Sequence, residues 1–224
     1  MMKKSLRKRI RIVIFAKAPL PGLAKTRLIP ALGRAGSAQL AKRLLNHTLE
    51  QSLAANIGPV ELCVSPTALH PIWQDLALPA SFEWSEQGDG DLGERLNRAS
   101  QRVTSNGEAI LLIGTDCPGL TAEKLCMAAE TLHHHDACMV PVSDGGYALL
   151  GMRQHLPAVF SDIPWSTDAV ARITRQRILE HGFALQQLTA LHDIDEPQDL
   201  RYLPAGWRQD SARKGGIYDI NTND

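Results

Sequence analysis

Apolar residues along the chain form short runs that alternate with stretches of helical spacing. The runs at 10–16 and 109–114 are almost continuously apolar, which is typical of strands buried on both faces. Between 37 and 55, leucines recur at helical spacing behind Ser37, which predicts an amphipathic helix with that serine as its N-cap. Strands that alternate with helices predict an α/β fold with a mainly parallel sheet covered on both faces.

The rest of the chain continues this alternation. Further strands are predicted at 60–65, 82–85, 137–142, 147–152 and 183–188, and further helices at 69–76, 92–103, 121–133, 167–181 and from 196. No repeat, low-complexity tract or linker divides these elements, which predicts a single domain over 10–203. Residues 1–9 are predicted to form a disordered basic leader and residues 204–224 a polar tail.

Charge and composition narrow the class of protein. The 224 residues include 24 Lys and Arg and 24 Asp and Glu, so the formal net charge is zero and no nucleic-acid partner is predicted. No run reaches the roughly 18 apolar residues of a membrane span, and no apolar signal-peptide core follows the basic leader. The four cysteines are scattered, as in reduced intracellular proteins. We therefore expect a soluble, cytoplasmic protein.

The segment at 114–120 is the most informative part of the chain. Asp116 follows a fully apolar run, so it lies at the carboxyl end of a central strand, where open α/β sheets bind their ligands. An aspartate in such a place usually has a partner or a metal ion. Its neighbour Cys117 is either a nucleophilic thiol or a small residue that fills a tight turn, and the sequence favours the turn.

The loop after the first strand is rich in small residues and cations. Lys17, Lys25 and Arg27, together with backbone N–H groups, suit a diphosphate. The spacing of a P-loop is absent. A surface loop with solvated cations explains the same residues equally well.

A glycine pattern at 88–93 has the letters of a dinucleotide fingerprint but not its context. The preceding strand is short and polar, and Asp89 and Asp91 would place negative charge at the pyrophosphate. An NAD-dependent oxidoreductase is therefore not predicted. The loop either accepts hydrogen bonds from a base or ribose, or is a turn in which Asp91 caps the next helix.

Two more acidic segments are candidates. Asp144, with Gly145 and Gly146, lies between two predicted strands; it can orient or deprotonate an acceptor hydroxyl, or the segment can be a plain hairpin turn. Asp193 and Asp195 precede the last helix, and capping does not explain them. They can complete an oxygen-ligand site for Mg²⁺ or Mn²⁺.

For two other motifs, a structural explanation competes with a functional one. Consecutive helical residues point about 100° apart, so the histidines at 133–135 cannot converge on one metal ion. Trp165 and Thr167 either line an acceptor pocket or cap a helix.

Six segments together resemble a known family. In chain order they are AKAPLPGLAKTRL, QGDGDLGERL, GTDCPGL, SDGGYALLG, PWST and DIDEPQDL. They resemble the bacterial arsenosugar-biosynthesis-type or selenodomain-associated glycosyltransferases over roughly Ile10 to Leu203. That family has the GT-A nucleotide-diphospho-sugar transferase fold, a three-layer α/β/α architecture. It is similar to the 2-phospholactate and molybdenum-cofactor guanylyltransferases.

The resemblance implies roles for individual residues. The loop that begins at Ala16 and Lys17 matches the nucleotide-binding loop, with Lys25 and Arg27 as phosphate ligands. The segment at 90–95 would lie near the base or ribose, through Gly90, Asp91 and Arg95. The turn at 144–146 would lie near the sugar or acceptor.

The resemblance also implies a metal site. Asp116 matches the metal-binding aspartate of the family's acidic motif, but Pro118 replaces the usual second aspartate of D-x-D. Asp195, within a D-x-P-x-D-L pattern, matches the distal metal ligand of related nucleotidyltransferases, and Asp193 is the less favoured choice.

Three functions follow as hypotheses, with the base, sugar, acceptor and oligomeric state open and a homodimer among the options. The leading one is a metal-dependent glycosyltransferase that passes a sugar from a nucleoside-diphosphate sugar to a small-molecule acceptor. The alternative is a guanylyl- or cytidylyltransferase that joins a nucleotide to a small phosphorylated acceptor and releases pyrophosphate. The third is a non-catalytic nucleotide-binding module, against which the two acidic sites and the cationic loop argue.

Overall fold

The structure is a computed structural model that describes residues 8–76, 78 and 81–207. Most of the predicted leader and all of the predicted tail beyond residue 207 lie outside these residues. The strands are β1 (Ile10–Lys17), β2 (Val60–Ser65), β3 (Glu83–Glu86), β4 (Ala109–Ile113), β5 (Ala137–Pro141), β6 (Tyr147–Met152) and β7 (Leu185–Gln187). They form one sheet in the order β3-β2-β1-β4-β6-β5-β7. All neighbours are parallel except those of β6, which is antiparallel to β4 and to β5.

Helices cover both faces of this sheet. They are α1 (Ile29–Ala55), α2 (Pro71–Gln74), α3 (Leu92–Ser105), α4 (Ala122–Thr131) and α5 (Val170–Glu180), with short 3₁₀ helices at Thr26–Leu28, Pro157–Val159 and Pro197–Tyr202. Helices α1 and α4 share one core with the sheet, and α3 and α5 share the other. The predicted three-layer α/β/α class is confirmed. Within the described ranges, no helix combines the length and apolar character needed to cross a bilayer.

The two cores explain the uninterrupted apolar run of β4. Successive strand residues point to opposite faces: Leu111 and Ile113 enter the core of α1 and α4, whereas Ile110 and Leu112 enter the core of α3 and α5. All five β4 residues are buried. Because β1, β2 and β4 are parallel, their carboxyl ends lie at one edge of the sheet.

Several element boundaries differ from the prediction. Helix α1 begins at Ile29 with a proline in its first turn, and Gly33 interrupts its helical geometry at a φ of 70°. Ser37 is therefore not an N-cap: it is buried inside the helix, and its hydroxyl has no hydrogen-bond partner in the described part of the chain. Proline is favoured at the start of a helix because its missing N–H needs no partner there. Helix α5 begins at Val170 rather than at Thr167.

The chain continues to pack on α1 at Trp207, a residue within the predicted tail. The Trp207 ring lies 5.3 Å from the ring of His47, at nearly a right angle. The guanidinium of Arg43 lies 4.4 Å from the same ring. Trp207 thus packs against the first helix.

A buried carboxylate links two strands and a helix on the other side of the sheet. Glu61, on β2, is 2% exposed. It accepts hydrogen bonds from Ser85 Oγ at 2.5 Å, from Arg102 Nη1 at 3.0 Å and from Arg11 Nη1 at 3.4 Å. Since a buried charge is costly without partners, these contacts fix β1, β3 and α3 against β2.

We expect the Glu61→Gln variant to be about 3 kcal/mol less stable, because it leaves two arginines short of a buried counter-charge. The free energy of unfolding in urea measures this loss. Glu83→Gln is the matched control, since Glu83 pairs with the same Arg11 but is 58% exposed; its loss should stay below about 1 kcal/mol. Equal losses in the two variants would contradict a central role for Glu61.

Candidate active site

Residues from three distant segments meet beyond the carboxyl ends of β1 and β4. Lys25 lies in the loop that follows β1, and Asp116 lies three residues after the last residue of β4. Asp195 belongs to the segment after β7, whose residue Leu191 pairs in parallel with Val142. A hydrogen bond from the Ile194 backbone N–H to the Asp116 carbonyl, at 2.9 Å, then joins the two acidic segments. The sheet thus places both aspartates at one edge.

Lys25 lies between the two aspartates that the sequence assigns to a metal ion. Its Nζ is 2.5 Å from Asp116 Oδ1 and 2.6 Å from Asp195 Oδ1. The Lys25 side chain is 7% exposed, against 49% for Asp116 and 36% for Asp195. The left-handed backbone of Lys25, at φ 48° and ψ 48°, begins the 3₁₀ helix after the loop. The predicted phosphate ligand is therefore the counter-ion of the predicted metal ligands.

The charge of Lys25 is maintained by these contacts. Burial by itself favours the neutral amine, but attraction to Asp116 and Asp195 and the hydrogen bonds to them outweigh burial. Together they raise the pKa of the Lys25 ammonium above its ordinary value. The lysine is therefore a cation at neutral pH.

Asp193, close in sequence to Asp195, has a carboxyl group with a raised pKa. Burial, followed by repulsion from Asp144 and Asp195, raises the pKa of the Asp193 carboxyl to about 6. The Ser143 backbone N–H donates to the Leu191 carbonyl at 3.1 Å, so the acidic segments at 144 and 193–195 are neighbours. Within the described ranges, however, no three His, Cys, Asp or Glu side chains converge as a complete metal site.

The other predicted phosphate ligands remain exposed. Lys17 is the last residue of β1, and Arg27 lies in the 3₁₀ helix directly after Lys25. Both side chains are open to solvent. Of the three cations that the sequence singles out in this loop, only Lys25 is held by the acidic residues.

Gln87 links β1 and β2 near their carboxyl ends through hydrogen bonds. It was not identified as a site residue from the sequence. It is 4% exposed, and its Nε2 donates to the carbonyls of Ala16 and Cys63, each at 3.1 Å. Ala16, a predicted nucleotide-binding residue, is buried, and its carbonyl is engaged in this bond. The only sequence signal for Gln87 is its place between a strand and a glycine turn.

The predicted base or ribose loop is a capped helix start. Asp91 accepts from the Glu94 N–H and Glu94 accepts from the Asp91 N–H, both at 2.8 Å, which forms a capping box. Arg95 Nε donates to the Gly90 carbonyl at 2.8 Å. Gly90 has a φ of 98°, a backbone conformation that favours glycine. The capping explanation of Asp91 is confirmed, and Arg95 stabilises the loop itself.

The turn at 144–146 is a hairpin turn between β5 and β6 that packs against the start of α5. Asp144 Oδ1 accepts from the Gly146 N–H at 2.8 Å. Gly145 has a φ of 92°, and a Cβ there would lie 2.2 Å from the Asp168 carbonyl oxygen. The close approach at Gly145 is thus to the protein's own backbone. The Asp144 carboxylate remains exposed.

The predicted acceptor residues Trp165 and Thr167 lie in the segment between these two loops. Trp165 is partly buried in the core of α3 and α5, and a Cβ on Gly93 would lie 2.8 Å from its Nε1. Thr167 Oγ1 donates to the Pro164 carbonyl at 2.7 Å and accepts from the Ala169 N–H at 3.4 Å, in the turn that leads into α5, whose N-cap position is Ala169. The segment therefore connects the 90–95 loop to the 144–146 turn.

Cys117 has a structural environment rather than a reactive one. It is 5% exposed, and its Sγ donates to the His192 carbonyl at 3.2 Å. Burial raises the pKa of its thiol to about 11. The turn-filling interpretation fits these observations.

A histidine that the sequence interpretation missed lies at the same edge. The His192 ring stacks on Tyr202 with centroids 3.8 Å apart, and its Nδ1 is 2.9 Å from Ser143 Oγ. Only its position next to Asp193 could have drawn attention to it.

Comparison with known proteins identifies related chains. Residues 48–167 match the DUF2064 family, described as an uncharacterized protein conserved in bacteria. No curated protein matches the sequence. A Desulfovibrio desulfuricans G20 protein, assigned provisionally as a nucleotide-diphospho-sugar transferase, is 30% identical with a TM-score of 0.82, over 93% of this chain and 91% of that one.

Two more distant structures share the fold. CMP:2-keto-3-deoxy-manno-octonic acid synthetase, solved with CTP, is 12% identical with a TM-score of 0.59, over 90% of this chain and 99% of that one. Rv0371c of Mycobacterium tuberculosis H37Rv, solved with manganese, is 15% identical with a TM-score of 0.55, over 88% of this chain and 97% of that one. These likenesses agree with the nucleotide-diphospho-sugar transferase fold, and the matched residues show that the chain belongs to the DUF2064 family.

Proposed function

We propose that the protein is a metal-dependent glycosyltransferase that uses a nucleoside-diphosphate sugar. The observation that carries this proposal is the convergence of Asp116 and Asp195, from separate segments, on one cationic atom at the carboxyl edge of the sheet. This edge is where α/β proteins of this kind bind nucleotides. The 30% identical Desulfovibrio protein, assigned provisionally to the same class, supports the proposal.

The two carboxylates fit one divalent cation. A single positive atom, Lys25 Nζ, already lies within hydrogen-bond distance of one oxygen from each aspartate, so both oxygens can face one ion. Mg²⁺ and Mn²⁺ prefer oxygen ligands and often take only one or two from carboxylates. The donor diphosphate and water would then complete the coordination. When bound, such an ion would neutralise the diphosphate of the donor, and a manganese-containing fold relative supports that assignment.

The cations of the first loop suit the departing nucleotide. Lys17 and Arg27, which flank Lys25 along the chain, are exposed, and positive side chains stabilise the negative charge that develops on a leaving diphosphate. In this proposal Arg27 binds phosphate, and Lys25 reaches phosphate only after leaving the aspartates.

The acceptor would approach from the side of the 144–146 turn. Asp144 is exposed, and its Oδ1 is fixed by the Gly146 N–H. A carboxylate held in this way can orient an acceptor hydroxyl and take its proton. Trp165 and Thr167 lie in the segment that packs on this turn, and in this proposal they border the acceptor.

A nucleotidyltransferase is the second candidate. It is favoured by the shared fold with the CTP-bound synthetase and by the cationic loop, which suits a triphosphate as well as a diphosphate. The two functions differ in the bond that breaks. A glycosyltransferase releases a nucleoside diphosphate, whereas a nucleotidyltransferase releases pyrophosphate.

We expect one nucleotide sugar to raise the melting temperature of the protein only when Mn²⁺ is present. The experiment is a thermal-shift panel of nucleoside diphosphates, nucleoside triphosphates and nucleotide sugars, with and without the metal. Asp116→Asn and Asp195→Asn should each weaken metal-dependent donor binding by at least about tenfold, because each removes a metal ligand.

Asp75→Asn, an exposed aspartate after α2, is the matched control and should bind the donor as the wild type does. Undiminished metal-dependent binding in both site variants would contradict the proposed metal role. Stabilisation by a triphosphate, with pyrophosphate release on adding a phosphorylated acceptor, would instead support the nucleotidyltransferase.

We expect Cys117 to react slowly with iodoacetamide at pH 8, while the exposed Cys126 reacts readily. With a pKa of about 11, only about a thousandth of the Cys117 thiol is ionised at that pH, and the thiolate is the nucleophile. Its alkylation should accelerate as the pH rises towards 11. Peptide mass spectrometry measures both rates, and faster alkylation of Cys117 than of Cys126 would revive a nucleophilic role.

A further inference from the structure

We propose that the Lys25 ammonium is the resident cation of the Asp116–Asp195 pair, and that a divalent metal ion binds there only by displacing it. The freed lysine then takes the donor diphosphate as its new partner. This inference rests on the proposed function for the metal ion and the donor. It adds that metal and donor binding are coupled through the movement of one side chain.

The first support is the competition for the same oxygens. Asp116 Oδ1 and Asp195 Oδ1 lie 2.5 and 2.6 Å from Nζ, which are short distances for charge-assisted hydrogen bonds. A metal ion binds carboxylate oxygens at about 2.0–2.2 Å. Metal and ammonium on the same two oxygens would therefore lie no more than about 5 Å apart, where their charges repel strongly in a partly buried site.

The second support is the charge balance of the pair. Two carboxylates and one ammonium leave a net charge of one minus, whereas the carboxylates alone would present two. Because Lys25 is 7% exposed, solvent screens its charge little. The lysine thus weakens the attraction of the pair for any arriving cation for as long as it stays in place.

The third support is that Lys25 can leave without unfolding the loop. Its backbone is held separately, since its carbonyl accepts from the Leu28 N–H at 2.9 Å. The aspartates are held by their own segments through the bond from Ile194 to Asp116. The flexible side chain of Lys25 can therefore carry Nζ away from the aspartates while the backbone of the loop stays in place.

The exchange has a thermodynamic consequence. Without a diphosphate, the displaced ammonium loses two carboxylates and gains only water, so metal binding is weak. With a diphosphate it gains a new anionic partner, so metal binding tightens, and by linkage the metal tightens diphosphate binding equally. If Lys25 only held the two aspartates in position, its removal would have the opposite effect on metal affinity. The aspartates would then be less well placed, and the metal ion would bind more weakly.

The first test is the affinity of the nucleotide-free, full-length protein for Mn²⁺, measured by calorimetry. We expect Lys25→Met to bind Mn²⁺ on the order of tenfold more tightly than the wild type, within the usual range of coupling between sites. Lys42→Met removes the same charge from the exposed surface of α1 and should change the affinity less than about twofold. Inorganic pyrophosphate should tighten Mn²⁺ binding more in the wild type than in Lys25→Met. Unchanged or weaker binding by Lys25→Met would overturn the exchange.

The second test uses the wild type and does not depend on how a variant folds. Lysine acylation by an N-hydroxysuccinimide ester, followed by peptide mass spectrometry, reports the accessibility of each lysine. We expect Mg²⁺ to increase the labelling of Lys25 while leaving that of Lys42 unchanged, and added pyrophosphate to reduce the Lys25 labelling again. Constant or reduced Lys25 labelling at saturating Mg²⁺ would overturn the exchange.

The two tests separate this inference from the proposed function. If Asp195→Asn abolishes Mn²⁺ binding but Lys25→Met does not tighten it, the metal site stands and the exchange is wrong. If neither the wild type nor Lys25→Met binds Mn²⁺ with or without pyrophosphate, the metal role fails and the exchange fails with it.

Discussion

The burial of β4 on both of its faces is the constraint on which the rest of the structure depends. Two helical layers need an apolar strand between them, and all five residues of β4 supply it. The polypeptide can become polar only where the strand leaves the core, and Asp116 is the first charged residue beyond that point. The same parallel pairing brings the end of β1 to the same edge, so the cationic loop and the first acidic residue are neighbours as a result of core packing.

The site at this edge is built from opposite charges that satisfy one another. Lys25 bridges Asp116 and Asp195, while Asp193 retains an elevated pKa because it is half-buried among other carboxylates. Under the proposed function, the protein must hold one set of charged groups for a metal ion and another for a diphosphate before either ligand arrives. Pairing the cation of one set with the anions of the other meets that requirement, and in the proposed exchange an arriving metal ion must compete with Lys25.

Local sequence rules succeeded where one residue had one dominant role. The apolar run of β4 and the capping of α3 by Asp91 are set by near neighbours: the first was predicted outright, and the second was one of the two interpretations that the sequence allowed. The same rules misplaced an element, or left two interpretations open, where two sequence features in one segment pointed to different structures. Ser37 has a favourable N-cap side chain, but the helix begins at Ile29, with Pro30 in its first turn, and resumes after Gly33, before Ser37 is reached. The paired glycines at 145–146 allowed either a ligand contact or a plain hairpin turn, and the structure shows that Gly145 makes room for the backbone of Asp168.

The sequence by itself determined the layers of the fold and which carboxylates and cations are worth considering, because hydrophobic spacing and residue chemistry are local properties. It also paired Asp116 with Asp195 through a family resemblance. Only the tertiary structure decided that Lys25 lies between them, and that Gln87 and His192 belong to the same edge. The physical reason is that a contact between residues 25, 116 and 195 depends on strand order and on the path of the chain after β7, which no short window of sequence contains.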